Sequence, residues 1–184
     1  VYPQHGKIVL GFLFISPGNH MDVEERRKVC VDTSYLLSVG PLPPEFEMVL
    51  PPSVEAEAEK YGALPPMYTV MMPSAPAVKR VMEVAGRTGD TANLSEADVE
   101  VLALALELRC PVATDDYDIQ NTAAVLGVEV IKGVHRGIAH VIKWRFRCTG
   151  CGRYYRRKYE ECPACGSPLK PVPSSTQRLS SSRE

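Results

Sequence analysis

Four cysteines near the C-terminus, Cys148, Cys151, Cys162 and Cys165, fall into two C-x2-C pairs separated by ten residues. A two-residue gap folds each pair into a hairpin that can fill two corners of a tetrahedral zinc site. Gly152 and Gly166 each follow the second cysteine of a pair, which suits tight turns that aim backbone amides at sulfur. Such a spacing favours structural Zn2+ over two disulfides, and four thiolates leave no open position for chemistry at that metal.

A second set of residues suits a different ion. Asp32, Glu57, Asp98 and Asp116, with Asp115 and Asp118 nearby, are carboxylates on four separate segments. Gathered in one place they would repel one another strongly, because like charges a few ångströms apart interact at low effective dielectric. A divalent cation relieves that conflict. Mg2+ or Mn2+ takes carboxylate oxygens, retains water, and can turn a bound water into the nucleophile of phosphodiester hydrolysis.

Plainer readings compete for each acid. Asp98 lies three residues after Ser95, the spacing of a capping box. Asp115 or Asp116 could cap the helix that follows. Glu55, Glu57 and Glu59 alternate with alanine in a way that a solvated helix face explains. Asp32, in the string Asp32-Thr33-Ser34, is the hardest to dismiss, since one cap does not need three cap-capable residues.

Placing these acids together requires an α/β framework. Lys28–Val31 and Phe46–Leu50 read as strands, Pro111–Thr114 as another, and Val128–Ile131 as the last. Helices are expected from Ser53, with Ser53 as cap, to Tyr61, over Ala77–Ala85 ending at Gly86, from Ser95 onward, and over Ile119–Leu126. Tyr68–Met72 reads as a short strand or an insertion. The helix after Ser95 is apolar on most sides, so it belongs in a core. Alternating strands and helices predict an α/β fold with a mainly parallel sheet flanked by helices. In such sheets functional residues collect at the carboxyl ends of strands, where Asp32 and Asp115-Asp116 would lie.

The charge is divided between two regions. Residues 1–131 hold 9 Lys/Arg against 19 Asp/Glu, whereas residues 132–170 hold 10 against 2. The overall net charge of −1 hides this split. A basic lobe of that density selects a polyanion, most often nucleic acid. Lys143-Trp144-Arg145-Phe146-Arg147 alternates, so a strand would send its cations to one face and its rings to the other. Between the cysteine pairs, Arg153, Tyr155, Arg156, Arg157 and Lys158 add cations interleaved with aromatic rings, a pattern suited to phosphates and unpaired bases. Lys143, Trp144, Arg145 and Arg147 are read with them as RNA contacts, a reading preferred to the alternative in which Trp144 and Tyr154 fill the small core of the metal module. His135 and His140 have no ligand-like spacing and receive no role.

Cys30 and Cys110 each adjoin an apolar run and read as buried, reduced thiols in a cytoplasmic protein. There is no apolar run of about 18 residues of the kind that spans a membrane. Lys7 followed by Ile8–Ile15 looks like a short signal-peptide core, but no small-x-small site follows it. A divergent or over-extended N-terminal extension is the preferred reading. The expected organisation is an extension over 1–21, a catalytic domain over 22–134, a linker over 135–142, a zinc ribbon over 143–170 and a disordered tail over 171–184.

Val31-Asp32-Thr33-Ser34, Pro52-Ser53-Val54-Glu55-Ala56-Glu57, Leu94-Ser95-x-x-Asp98 and Thr114-Asp115-Asp116 occur in an order that resembles the PIN nuclease domain. With Thr88-Gly89-Asp90, Asp118-Ile119-Gln120-Asn121 and Lys143-Trp144-Arg145-x-x-Cys148, the chain from about Lys28 to Leu169 resembles the Nob-type endonucleases of archaea and eukaryotes. That resemblance implies a metal-dependent single-strand endoribonuclease that trims precursor small-subunit rRNA at its 3′ end within a pre-ribosomal particle. It also implies that Asp32, Glu57, Asp98 and Asp116 bind the metal, with Asp115 and Asp118 auxiliary. A register shift among Glu55, Glu57 and Glu59 stays open. Two rivals remain: a non-catalytic RNA-binding assembly factor, and a toxin-type PIN ribonuclease acting on other RNAs. The Gly40-Pro41-Leu42-Pro43-Pro44 loop lies outside the resemblance.

Overall fold

The apolar run Val29-Cys30-Val31 is wholly buried because it forms the middle strand of a five-stranded sheet. In this computed structural model, which describes residues 26–134, 137–138 and 140–178, the sheet order is β3-β2-β1-β4-β5. Its strands are β1 (Arg27–Val31), β2 (Phe46–Leu50), β3 (Thr69–Val70), β4 (Val112–Ala113) and β5 (Val130–Ile131). All neighbours run parallel, with Cys30 opposite both Val49 and Val112. Parallel strands need crossover helices. Those are α1 (Thr33–Ser38), α2 (Pro52–Lys60), α3 (Ala75–Thr88), α4 (Glu96–Leu108) and α5 (Tyr117–Leu126).

α4 is the core helix, as its composition predicts: Val99 and every residue from Val101 to Ala105 are buried. Other boundaries differ from expectation for local reasons. α2 starts at Pro52 rather than being capped by Ser53, since proline is preorganised for the first helical turn. Ser53 instead turns its hydroxyl to Glu100 on α4. α3 runs through Gly86 and stops at Gly89, whose φ of +87° is the left-handed conformation that ends helices. Cys30 and Cys110 are buried and unbridged, with sulfurs 3.6 Å apart. Among the described residues, no helix is long and apolar enough to cross a membrane.

A second, antiparallel sheet follows, ordered β7-β6-β8, from β6 (His140–Cys148), β7 (Tyr154–Tyr155) and β8 (Leu169–Arg178). It corrects two expectations. The strand begins at His140, inside the expected linker. The tail is not disordered over 171–178, because β8 pairs with β6 from Leu169 to Arg178. Composition misled there: the Pro- and Ser-rich stretch lies at a sheet edge, where proline is tolerated because no ladder hydrogen bond is needed on the open side. The expected extension over 1–21 and residues 179–184 lie outside the described residues.

Candidate active site and metal centre

Topology sets where the acids meet. β1 and β4 are adjacent, so the residues that leave their carboxyl ends, Asp32 and Thr114-Asp115-Asp116, become neighbours. Asp32 caps α1 and is 4% exposed. Its Oδ2 accepts from the Ser34 hydroxyl at 2.5 Å, the Ser34 amide at 3.3 Å and the Thr114 hydroxyl at 2.9 Å. The string Asp32-Thr33-Ser34 thus has three separate uses: Asp32 is the carboxylate, Ser34 orients it, and Thr33 reaches across to α2. The Thr33 hydroxyl donates to Glu57 Oε2 at 2.8 Å. Glu55 is drawn elsewhere, to the Tyr68 hydroxyl at 3.0 Å, and Glu59 is exposed. The structure therefore sets Glu57, rather than its neighbours, beside the Asp32 turn.

Asp98 and Asp116 arrive from helix N-termini. Asp98 forms the expected capping box, accepting from the Ser95 amide at 2.6 Å while the Asp98 amide donates to Ser95 Oγ at 3.2 Å. Asp116 caps α5 with one oxygen, Oδ1, taking the amides of Asp118 and Ile119. The capping and cleft readings are thus compatible, since the acids that cap also feel one another's charge. Asp98 senses Asp116 and Glu57, and Asp32 senses Asp98. Burial is the largest cause that raises the pKa of Asp32 and of Asp98 above the usual carboxylate range, with neighbouring charge adding to it and hydroxyl and amide donors opposing it. Asp118 is raised as well, by burial first and then by the charge of Asp116.

These acids fit a divalent cation by donor chemistry and by their shared need for a counter-charge. They are not packed to ligand spacing. Among the described residues, the one group whose ligand atoms all lie within 4.8 Å of one another is the cysteine set. Asp115 is held differently. Its carboxylate accepts from the Ser38 hydroxyl at 2.6 Å and from the Gly133 and Val134 amides at 2.9 and 3.1 Å, tying the chain after β5 to α1.

The cysteine centre is closed and local. All four cysteines are free thiols; Cys148 and Cys165 sulfurs are 3.4 Å apart, and those of Cys151 and Cys162 3.6 Å. A disulfide needs about 2.05 Å, whereas four sulfurs about 2.3 Å from a tetrahedral zinc sit about 3.8 Å from one another. The Cys151 amide donates to Cys148 Sγ at 3.4 Å. Gly152 and Gly166 take the left-handed turns expected of them, at φ of +73° and +70°. The Tyr155 hydroxyl lies 3.1 Å from Cys162 Sγ, and that contact leads the causes that push its pKa up to about 12. Tyr155 therefore faces the sulfurs rather than solvent. Its neighbour Tyr154 is the exposed ring, 60% accessible, with the Arg147 guanidinium 6.0 Å from its centroid. Alternation in β7 was the signal that could have separated the two tyrosines.

On β6 the alternation holds: Lys143, Arg145 and Arg147 are exposed, Phe146 is buried and Trp144 half-buried. Arg153, Arg156, Arg157 and Lys158 are exposed too. Trp144 does not fill the ribbon core. Its indole hydrogen-bonds to the Asp90 carboxylate of the α/β domain, and a Cβ on Gly89 would meet the Trp144 carbonyl oxygen at 2.9 Å. Next to it Asp90 is fully buried and accepts from Asn121 Nδ2 at 2.7 Å. Asn121 also exchanges two hydrogen bonds with the Ile142 backbone, at 2.9 and 2.8 Å, as a neighbouring strand would. Thr88-Gly89-Asp90 and Asn121 thus form a socket for β6, a role that motif reading missed because the socket and its occupant lie far apart in sequence.

A parallel α/β domain with acids gathered at the carboxyl ends of its strands, followed by a four-cysteine module, is the class of protein that fold and site define. Comparison with known proteins agrees. A family model described as the PIN domain of ribonuclease matches residues 30–108. The endoribonuclease Nob1 of Pyrococcus abyssi is 47% identical over 106 residues, 56% of this chain and 65% of that protein. Ribonuclease VapC1 of Thermoplasma acidophilum is 36% identical over 146 residues, 76% of this chain and 75% of that one. The solved structure of a PilT N-terminus domain protein from Sulfolobus solfataricus P2 is 20% identical at a TM-score of 0.39, over 57% of this chain and 86% of that one, a likeness too slight to argue from. The chain belongs to the PIN-domain ribonuclease family. It spans less than two thirds of the length of the P. abyssi relative.

Proposed function

We propose that this protein is a metal-dependent, single-strand-specific endoribonuclease that processes the 3′ end of precursor small-subunit rRNA in a cytoplasmic pre-ribosomal particle. What supports the reading is that Asp98 lies within reach of the charges of Asp32, Asp116 and Glu57, and that the Thr33 and Thr114 hydroxyls link the Asp32 turn to Glu57 and to the Asp116 amide, on a chain that also carries a basic module. These four residues hold one or two divalent ions of the Mg2+ or Mn2+ type; such an ion, when bound, screens the carboxylates and makes water a competent nucleophile toward a backbone phosphate. Ser34 and Thr114 keep Asp32 in one rotamer, and Thr33 does the same for Glu57, so both present a fixed oxygen to the site. Asp118 adds negative charge at the rim. Asp115 acts at a distance, by holding the loop that closes the β4 and β5 ends.

Cys148, Cys151, Cys162 and Cys165 hold a structural Zn2+, which organises the ribbon. Lys143, Arg145, Arg147, Arg153, Arg156, Arg157 and Lys158 contact RNA phosphates, and Tyr154 takes over from Tyr155 and Trp144 the part of an exposed stacking ring. The test is to map cleavage products on an rRNA spanning the mature 3′ junction, with a chelator and Asp32→Asn as controls. Cleavage at the junction that disappears in both controls is expected; cleavage by Asp32→Asn at the wild-type rate would sink the assignment.

The long match to ribonuclease VapC1 favours a second reading, a ribonuclease of other RNAs. Comparing the same preparation on rRNA junction, tRNA and messenger fragments separates the two. Preference for the junction supports the first.

A further inference from the structure

The carboxylate crevice sits at one end of the parallel sheet; the opposite end holds a cavity of about 720 Å3 that the proposed reaction does not use. It opens beside the start of β1 and the last turns of α4 and α5. Its lining joins apolar side chains, including Leu106 and Val128, to Arg26, Arg27, Lys28, Arg109 and the acid Glu129. Residues 1–131 contain 9 cations among 19 acids. Four of those cations thus line one cavity of an otherwise acidic body.

Helix C-termini attract cations, and this accounts for some of the crowding. It does not account for all of it. Arg27 is satisfied by Glu129 at 2.7 Å, yet Arg26, Lys28 and Arg109 form no ion pair among the described residues. Arg109 is also the one non-glycine residue at positive φ among the described residues, at +52°. Glycine would hold that helix end without strain, so the arginine sits there against the local preference of the backbone. A volume within the range of small-ligand sites, apolar side chains in the lining and cations with no ion pair among the described residues match a base resting on carbon and phosphates held by charge.

We propose that this cavity is a second RNA site, taking one or two nucleotides of the single strand on the face of the domain opposite the crevice. The identity of the ligand as RNA rests on the nuclease reading above; the cavity and its charge do not. The site would let the domain hold a strand at two places, so long RNA binds more tightly than short RNA that occupies the crevice alone.

The experiment measures binding of a labelled single strand of about 20 nucleotides and one of about 5, with Ca2+ in place of Mg2+ or Mn2+ to suppress cleavage and no chelator, so that the zinc centre is kept, across a salt series. The variants are Arg109→Gly, the triple Arg26→Ala, Lys28→Ala, Arg109→Ala, and a control pair on α3, Lys79→Ala with Arg80→Ala. Each lost phosphate contact lowers the salt slope by about 0.7 for a single strand. Arg109→Gly is expected to weaken long-strand binding about 5-fold at 0.1 M salt and the triple on the order of 100-fold, with the short strand and the control pair unchanged. Arg109→Gly is also expected to melt no lower than the wild type, which separates lost contact from lost fold. Equal weakening by the control pair, or unchanged long-strand affinity in the triple, overturns the proposal; so does saturation of the cavity by adenosine monophosphate without competition against the long strand. Failure of the wild type to cleave any RNA would count against the nuclease reading and leave these binding results to be judged by themselves.

Discussion

The carboxylate crevice and the cysteine centre are both candidate metal sites, yet they are built in opposite ways. The cysteines come from two short hairpins within 18 residues of sequence, and their sulfurs already lie within 4.8 Å of one another. The carboxylates come from four crossovers of a parallel sheet, and no such tight group forms among them. The difference follows from charge. Neutral thiols can be packed together before a metal arrives and then lose their protons to it, whereas buried carboxylates resist each other until a cation is present. One site is closed and suits architecture. The other has no such closed ligand set, which leaves positions for water and substrate.

Breaking the cysteine centre should have the larger effect. Apparent binding free energies for structural zinc of this kind are about 10–16 kcal/mol and are coupled to folding. Cys162→Ser, or a strong chelator, is expected to expose residues 143–178 to protease while the α/β domain stays resistant. Continued protection of the ribbon would show that the sulfurs are not what holds it. Asp32→Asn should act in the opposite sense, cutting cleavage on the order of 10³-fold, as loss of several kcal/mol of transition-state stabilisation implies. Its melting temperature should hold or rise, because a buried charge is removed. Parallel rate and melting measurements decide this, and a drop in both would mean that Asp32 serves the fold.

The socket between the two regions gives an intermediate effect. Gly89→Ala places a Cβ against the Trp144 backbone and forces a left-handed residue to carry a side chain. A cost of about 1–3 kcal/mol is expected, read by denaturant titration, together with lower resistance to cleavage near 132–140. A cost below that of an exposed surface substitution would sink the socket.

The smallest effects are electrostatic and local. The raised carboxyl pKa values of Asp32, Asp98 and Asp118 mean that the native state binds more protons than the unfolded chain above pH about 4. Their contribution to stability is therefore most favourable at low pH and is lost as pH rises through the raised native values. The chelated protein should lose stability with rising pH in that window, and added Mn2+ should reduce the slope or reverse it by favouring the ionised forms. A melting series at several pH values, with and without Mn2+, checks the sign. Ser95→Ala should cost about 1 kcal/mol by removing one half of the capping box; no change in melting would show that Asp98 does not need that cap.

Much of this was legible in the chain. The buried character of α4, the strand alternation around Trp144 and the sulfur spacing are periodic or short-range signals, and each is realised where expected. Boundaries were less legible, because proline at position 52 and the free conformation of Gly89 override composition. β8 was missed for a different reason: its Pro- and Ser-rich stretch has no intrinsic preference for a strand and acquires one by pairing with β6. Tyr155 and Trp144 were read as RNA-facing because sequence shows ring and charge but not direction.

Sequence by itself determined which residues carry charge, sulfur and hydrogen-bonding groups, and it determined the local turns around the cysteines. Such features depend on contacts between residues a few positions apart. Only the tertiary structure decided that Asp32 and Asp116 meet through the Thr114 hydroxyl at adjacent strand ends, that Thr33 selects Glu57 from its neighbours, that Asp115 braces a loop, and that Trp144 docks on Gly89. Those choices depend on which strands lie side by side, and parallel pairing joins segments tens of residues apart whose proximity no local pattern records.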